Sequence, residues 1–309
     1  MRKLNVTIVN VKTPLRHRKS RYGNNIAAYA FIAPTVLGII VFVLYPVIES
    51  LRLSFYSTNY ITQTWVGLDN YKTILKDPDF VGALYNTVYM GVLGLLLNIP
   101  GAFIIASMIN ACRWGKNYFK SAIYIPNITS VVAASTIFLS LFYPTDIGAI
   151  NYILKKLFGI GPFGWFIDAR IARVTVVIMS TWQSIGYNTL IFLAGLQSVP
   201  RELYEAAEVD GATALKRWRY ITIPSMKPIF VFVFITGVIG AMQRFGDVWM
   251  IGGNTGQPGG TLRTVVLYIY AIGFQGMRFG LASAAAYILF FIIFALTLIN
   301  VRLIKWDSD

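Results

Sequence analysis

Charged side chains are scarce in this sequence: 13% of its 309 residues are Asp, Glu, Lys or Arg, about half the share usual in a water-soluble domain. Too few remain to cover a globule in water, which excludes an ordinary cytosolic enzyme. Acid is scarcer than base, with 13 Asp and Glu against 27 Lys and Arg and a formal net charge of +14. Cys112 is the only cysteine and His17 the only histidine, so a disulfide framework, a zinc site of several His or Cys ligands and haem ligation by His pairs are all excluded. No G-x-x-x-x-G-K-[ST] phosphate cradle and no H-E-x-x-H occur, which removes P-loop ATP hydrolysis and the metalloprotease class. Gly159, Gly161 and Gly164 fit G-x-G-x-x-G, but Pro162 sits inside the match and the segment reads as a loop without the strand and helix a dinucleotide needs. The expectation is a chain with no catalytic residues, no metal and no cofactor of its own.

What the sequence has is apolar length. Hydrophobic residues make up 56% and the mean hydropathy is +0.61. A helix of ~20 apolar residues, rising ~1.5 Å each, crosses the ~30 Å hydrocarbon layer. Six such runs lie near 28–50, 88–111, 121–142, 174–196, 229–251 and 279–304. The fold class is therefore an all-α integral membrane protein with about six transmembrane helices. The first run has no small-residue cleavage pattern and continues into Tyr45, Pro46 and Glu49, so it reads as an anchor rather than a removed signal. Residues 1–25 form a basic arm and 26–309 the membrane domain. Lys and Arg favour the loops that share a side with that arm, 17 against 7. By the positive-inside rule both termini are cytoplasmic in a multi-pass protein of the cell membrane. An excess of base in a lipid-embedded chain reports topology, so nucleic acid is not an expected partner.

The loop at 198–227, between the fourth and fifth spans, differs from everything around it. Pro200 suits a first helical turn, Glu202, Glu205 and Glu208 complement a helix dipole, and Gly211 is placed to end the helix at its C′ position. A second helix, carrying Lys216, Arg217 and Arg219, should start at Thr213 and be broken by Pro224. Leu203, Ala206 and Ala207 share a face on the first helix, where the alanines let another surface come close.

Glu205-Ala206-Ala207, then Gly211, then Ile221-Thr222-Ile223-Pro224 resembles the EAA loop of binding-protein-dependent ABC importer permeases. Ile223 stands where that family usually has Leu, and the charged run at 216–219 is a second departure. The similarity extends to the carbohydrate-uptake branch, of the maltose permease type, through Tyr45-Pro46, Gly67-Leu68-Asp69-Asn70-Tyr71 and Phe245-Gly246-Asp247 before a glycine-rich turn. The turn itself, 252–258, is looser than the family's form. The resemblance implies one permease half that pairs with a second permease chain. It further implies an ATPase dimer that binds the ATP and Mg, and an extracytoplasmic solute-binding protein that delivers sugar. It assigns ATPase coupling to Glu205, Ala206, Ala207, Gly211 and Pro224, with Glu205 pairing to an arginine of the ATPase. The alternatives are an ion-coupled secondary carrier, which would need mid-membrane carboxylates, and an ABC permease for a non-sugar solute.

A transient sugar site needs hydroxyl and amide partners beside aromatic rings near the midplane. On span four Trp182, Gln183, Ser184, Tyr187 and Asn188 lie ~12 to 21 Å from its start at ~1.5 Å per residue. Trp182, Ser184 and Tyr187 also sit where the sugar permeases place cavity residues. Span five carries Gln243, Arg244 and Asp247. Arg244 and Asp247 are i, i+3 neighbours and form either a structural ion pair or, for Gln243 and Asp247, part of the cavity. An unpaired Arg244 facing the pathway would favour acidic sugars such as uronates. Asn98 beside Pro100 serves the pathway or satisfies the carbonyl that the proline frees.

Overall fold

The computed structural model describes residues 21–59 and 61–306. Most of the basic arm over 1–25 lies outside the described residues, as does the end of the C-terminal tail. The chain divides into two compact units, 1–50 and 51–309. In the first, α1 (Arg21–Ile39) passes through a π turn (Ile40–Leu44) into α2 (Tyr45–Ser54). Pro46 explains the wide turn: a proline ring crowds the carbonyl four residues back, and the Tyr45 N–H bonding Ile40 O five residues back makes room. The apolar stretch therefore runs unbroken over Ala28–Ser54.

The second unit opens with a short antiparallel hairpin, β1 (Tyr56–Thr58) and β2 (Gln63–Trp65), in which Tyr56 faces Trp65. Helix α3 (Asp69–Lys76) braces it: buried Asn70 donates through Nδ2 to the carbonyls of Ser54 and Tyr56 at 2.9 Å each. The 67–71 motif is thus a structural clasp. Helix α4 (Pro78–Ala111) is capped by Asp77, whose carboxylate accepts the Asp79 N–H at 2.9 Å. Its 34 residues span about 51 Å at ~1.5 Å each, well past the hydrocarbon layer. Helix α8 (Ala172–Ser198) packs along it. After the 198–227 loop come α12 (Lys227–Met242) and α13 (Gly246–Gly252), then α14 (Val265–Tyr270), a π turn (Ala271–Gln275) and α15 (Phe279–Trp306). Among the described residues, five straight or gently broken spans plus one sharply bent pair are apolar and long enough to cross a bilayer.

Two spans differ from their sequence reading. The run at 121–142 is not one straight helix but α5 (Lys116–Ile128) and α6 (Val131–Leu141), turned by 94°. Thr129 is extended and Ser130 starts a new helix, its Oγ accepting the Ala133 N–H at 3.2 Å. The fifth span breaks between α12 and α13 at 243–245. Each break frees a carbonyl, and each is answered by a side chain from elsewhere: Gln183 Nε2 donates to Thr129 O at 2.8 Å, and Thr264 Oγ1 to Arg244 O at 2.7 Å. Irregular backbone at membrane depth survives only with such partners.

The 142–171 connection holds α7 (Ala149–Phe158), organised by Asn151, which is fully buried. Its amide donates to the carbonyls of Tyr143 and Phe163 and accepts from Phe163 N–H and Trp165 Nε1. No strand precedes Gly159 among the described residues of this connection, and Gly159 itself ends α7 in the left-handed region. The spacing of glycines there is loop geometry.

Three apolar clusters hold the bundle. One gathers Met90, Val176, Val177 and Leu262, a second Phe103, Phe192, Met226 and Val233, and a third Phe80, Met242, Tyr268 and Leu289. At Gly186 the backbone of α5 lies against α8 so closely that an added Cβ would fall 1.9 Å from Ile123 O. Small residues that let helix backbones touch are the membrane's substitute for a hydrophobic drive. Gly186→Ala should lower the stability of the purified protein by ~1–3 kcal/mol through overpacking. Gly82→Ala, which meets nothing within 4 Å, should hold or raise it. Thermal unfolding of the two variants checks the contrast.

Candidate functional site

A cavity of about 500 Å³ opens between α4, α8, α12 and the bend of α5–α6. Ser184, Tyr187, Asn188, Arg244 and Asp247 all line it, as do Gln183 and Asn98. Ser180, Ser184 and Tyr187 recur on one face of α8 by their i, i+4, i+7 spacing. A relay of polar groups ties that face to α4: Asn188 Nδ2 donates to Asn98 Oδ1 at 2.6 Å, Asn98 Nδ2 donates to Ser184 Oγ at 2.9 Å, and Ser184 Oγ donates to Ser180 O at 2.7 Å. Asn98 therefore bridges two helices, and no carbonyl freed by Pro100 receives its amide. Gly91, Gly94, Gly237 and Gly240 also line the cavity, and of these Gly240 leaves open space where a side chain would stand.

Trp182 and Gln243 lie off the wall. Trp182 packs on Phe138 with ring centroids 5.3 Å apart, and Gln243 ends α12 with an exposed side chain. Sequence reasoning did not single out Asn127, Thr181 or Thr236, which also line the cavity. Thr181 and Thr236 were visible as polar residues inside apolar runs. Asn127 reaches the wall only because the third span bends beside it. Among the described residues neither the Asn127 side chain nor Tyr187 Oη holds a hydrogen bond, so both remain available to a polyhydroxylated ligand.

Arg244 sits at the break in span five. Its guanidinium lies 3.5 Å from Asp247 Oδ2 and donates to Ser180 Oγ at 2.8 Å; the Arg244 and Asp247 side chains are only 12% and 11% exposed. The unpaired arginine considered from sequence is thus a paired one.

The loop at 198–227 forms α9 (Arg201–Val209), α10 (Ala214–Arg217), a π turn (Trp218–Thr222) and α11 (Ile223–Ser225). Pro200 is the N-cap of α9, one residue before the helix proper. At the other end Gly211 has φ +73°, its N–H bonds Glu208 O at 3.1 Å, and the Ala212 N–H bonds Ala207 O at 2.8 Å. That pair of bonds is a Schellman close, for which a left-handed C′ residue is required. Thr213 caps α10, its Oγ1 accepting the Lys216 N–H at 3.4 Å. Pro224 does not end the helical run. The π turn before it, with Ile223 N–H on Trp218 O, lets the chain pass through the proline as at Pro46.

Helix α9 presents Leu203, Glu205, Ala206 and Val209 outward, and none of its residues is buried. Glu205 is held by Arg201 at 3.0 Å on the surface, and Glu208 by Arg217 of α10 at 3.1 Å. Half-buried Tyr204 anchors the helix from beneath, its Oη 3.0 Å from Thr222 Oγ1.

A bent and broken set of apolar spans around a polar cavity, with an exposed amphipathic helix in a loop between two of them, defines the membrane-spanning subunit of a transporter. Residues 82–305 match the family described as binding-protein-dependent transport system inner membrane component. The chain belongs to that family and is a transport subunit. It is 36% identical over 283 residues to the arabinooligosaccharides transport system permease protein AraP of Bacillus subtilis (strain 168), covering 91% of this chain and 90% of that one. It is 35% identical to the lactose transport system permease protein LacF of Rhizobium radiobacter, covering 93% and 97%. A solved chain of a bacterial ABC transporter involved in import of the acidic polysaccharide alginate superposes with a TM-score of 0.82 at 23% identity, covering 93% of this chain and 98% of that chain. The shared fold is a multi-pass, mostly helical membrane domain.

Gly211→Ala should cost about 1–2 kcal/mol, because a Cβ in left-handed backbone meets the following carbonyl. Since nothing else lies within 4 Å of that position, the loss should be confined to the loop. Hydrogen exchange would show faster exchange at the 206–212 amides and unchanged protection in α8 and α12.

Proposed function

We propose that this chain is one half of the translocation pathway of an ATP-driven importer for a di- or oligosaccharide, received from an extracytoplasmic solute-binding protein. The carrying observation is the cavity, where Ser184, Tyr187, Asn188, Asn98 and Asn127 converge within about 500 Å³. Hydroxyls and amides beside an aromatic ring are what a glycan requires, and small-molecule sites are commonly clefts of this volume with a few convergent polar groups. Relatives named for arabinooligosaccharides and lactose, and a 25% identical solved chain from an alginate transporter in complex with an alginate pentasaccharide-bound periplasmic protein, support the same class of solute and the same kind of partner. The substrate-pathway assignment covers Ser184, Tyr187, Asn188 and Asp247 in the wall. Trp182 and Gln243 lie beside wall residues along the chain, Trp182 between Thr181 and Gln183 and Gln243 before Arg244.

In this reading a second permease chain completes the cavity, and two copies of a separate ATPase bind the ATP and Mg. Helix α9 enters a groove on that ATPase: Ala206 and Ala207 allow close approach, Glu205 leaves Arg201 for an arginine of the groove, and Gly211 and Pro224 fix how the loop turns back to span five. ATP binding closes the ATPase, α9 transmits the movement, and the cavity alternates between the two sides of the membrane. The excess of Lys and Arg on that side supports a cytoplasmic position for α9, the basic arm over 1–25 and both termini. An ion-coupled carrier gains no support here, since the one carboxylate in the cavity wall is held by Arg244.

Reconstituted in proteoliposomes with its partners, the complex should import sugar only with ATP. Glu205→Ala should lower coupled uptake, in line with ~2–5 kcal/mol for cutting one side of a buried interfacial charge pair. Ala206→Trp should abolish uptake by blocking the groove, and a cysteine at 206 should crosslink to the ATPase. Vigorous uptake by Ala206→Trp with no crosslink from 206 or 207 would overturn the assignment.

A further inference from the structure

Among the described residues eighteen line the cavity, and of these only Arg244 and Asp247 carry charge. They face each other at 3.5 Å with side chains 12% and 11% exposed, so the wall has no net formal charge. Arg244 is committed on two sides, to Asp247 and, at 2.8 Å, to Ser180 Oγ. The rest of the wall offers neutral donors and acceptors: amides at Asn98, Asn127, Gln183 and Asn188 and hydroxyls at Thr181 and Tyr187.

This balance discriminates by charge. An uncharged glycan exchanges water for amide and hydroxyl partners at little cost. A uronate carboxylate must shed its hydration while Arg244, the only guanidinium among the described wall residues of this chain, is already neutralised, and a glucosamine ammonium finds Asp247 equally taken. Desolvating an ion without a partner is far costlier than desolvating a hydroxyl, and specificity is the difference between the two.

We propose that Asp247 is a specificity-determining residue: by holding the Arg244 guanidinium it keeps this cavity for uncharged glycans. The proposal rests on the carbohydrate reading above and adds the class of sugar. It also identifies the change that would reverse the preference. Asp247 Oδ1 accepts the Val248 N–H at 2.9 Å, a bond an asparagine oxygen retains. Asp247→Asn therefore removes the charge while keeping the local turn, and leaves Arg244 on Ser180 facing the lumen with its positive charge exposed.

The test is ligand-observed NMR on the solubilised complex of both permeases and the ATPase, without binding protein, so that the cavity alone is read. The probes are arabinotriose and lactose as neutral sugars, digalacturonate as the acidic one and the glucosamine disaccharide as the cationic one. In Asp247→Asn the affinity ratio of digalacturonate to arabinotriose should rise on the order of tenfold, the effect of one uncompensated charge. In Arg244→Gln/Asp247→Asn, which is neutral again, the ratio should return to that of the parent. Arg244→Gln alone bares the carboxylate and should instead raise the ratio of the glucosamine disaccharide to arabinotriose. If Asp247→Asn does not assemble, Arg244→Gln carries the test. An acidic ratio equal in parent and Asp247→Asn, a gain that persists in the double variant, or no cationic gain in Arg244→Gln would overturn the proposal. A parent complex that binds neither neutral sugar, yet shows ATP-driven import of another solute, would instead overturn the carbohydrate reading.

Discussion

The carbonyl of Thr129 and the carbonyl of Arg244 govern how this membrane domain is put together. Hydrocarbon supplies no hydrogen bonds, so a span interrupted at depth must find its missing partners within the protein. Gln183 answers the first carbonyl and Thr264 the second. The two interruptions are therefore affordable, and they give the chain its lumen: Asn127 comes to the wall with the first, Arg244 and Asp247 with the second. Uninterrupted helices packed side by side would have left an apolar bundle.

The same accounting explains the prolines. Pro46 and Pro224 lie in helical runs that do not stop, and in each case a π turn ends two residues earlier, at Leu44 and at Thr222. One extra residue in the turn moves the carbonyl that the ring would strike. Near Pro224 this has a second effect, since Thr222 becomes buried and meets Tyr204 from α9. A local solution to proline sterics thus supplies the footing for the exposed helix. The Schellman close at Gly211 and the Glu208–Arg217 pair complete it. Together they make the loop a braced element whose outward face stays exposed, with the Arg201–Glu205 pair on its surface.

Much of this was legible in the sequence because it depends on short-range rules. Apolar runs of bilayer length gave the spans, and Gly211 and Thr213 gave the end of one helix and the start of the next, since cap positions need a left-handed residue and a side-chain acceptor. Other features depend on distant partners and left little local trace. The bend at 129–130 lies just after Pro126-Asn127, at Thr129-Ser130, but within a run of bilayer length these residues did not by themselves divide one span into two helices, and the bend holds through Gln183, more than fifty residues away. The hairpin around 56–65 is too short to show a pattern and is secured by Asn70. On span four the spacing that put Ser184 and Tyr187 in the wall also suggested Trp182, whose large ring is better satisfied against Phe138. The paired state of Arg244 follows from i, i+3 geometry, whereas its other contact, Ser180, belongs to another helix.

Glycine at 240 lines the lumen with empty space where its side chain would be, and nothing stands within 4 Å of that spot. Gly91 and Gly237, by contrast, are pressed against Ala241 and Leu95, so they serve helix approach. The bore and the scaffold are consequently set by different glycines. A methyl group at 240 would narrow the passage without moving a helix, which gives this architecture a way to change the girth of its cargo one carbon at a time.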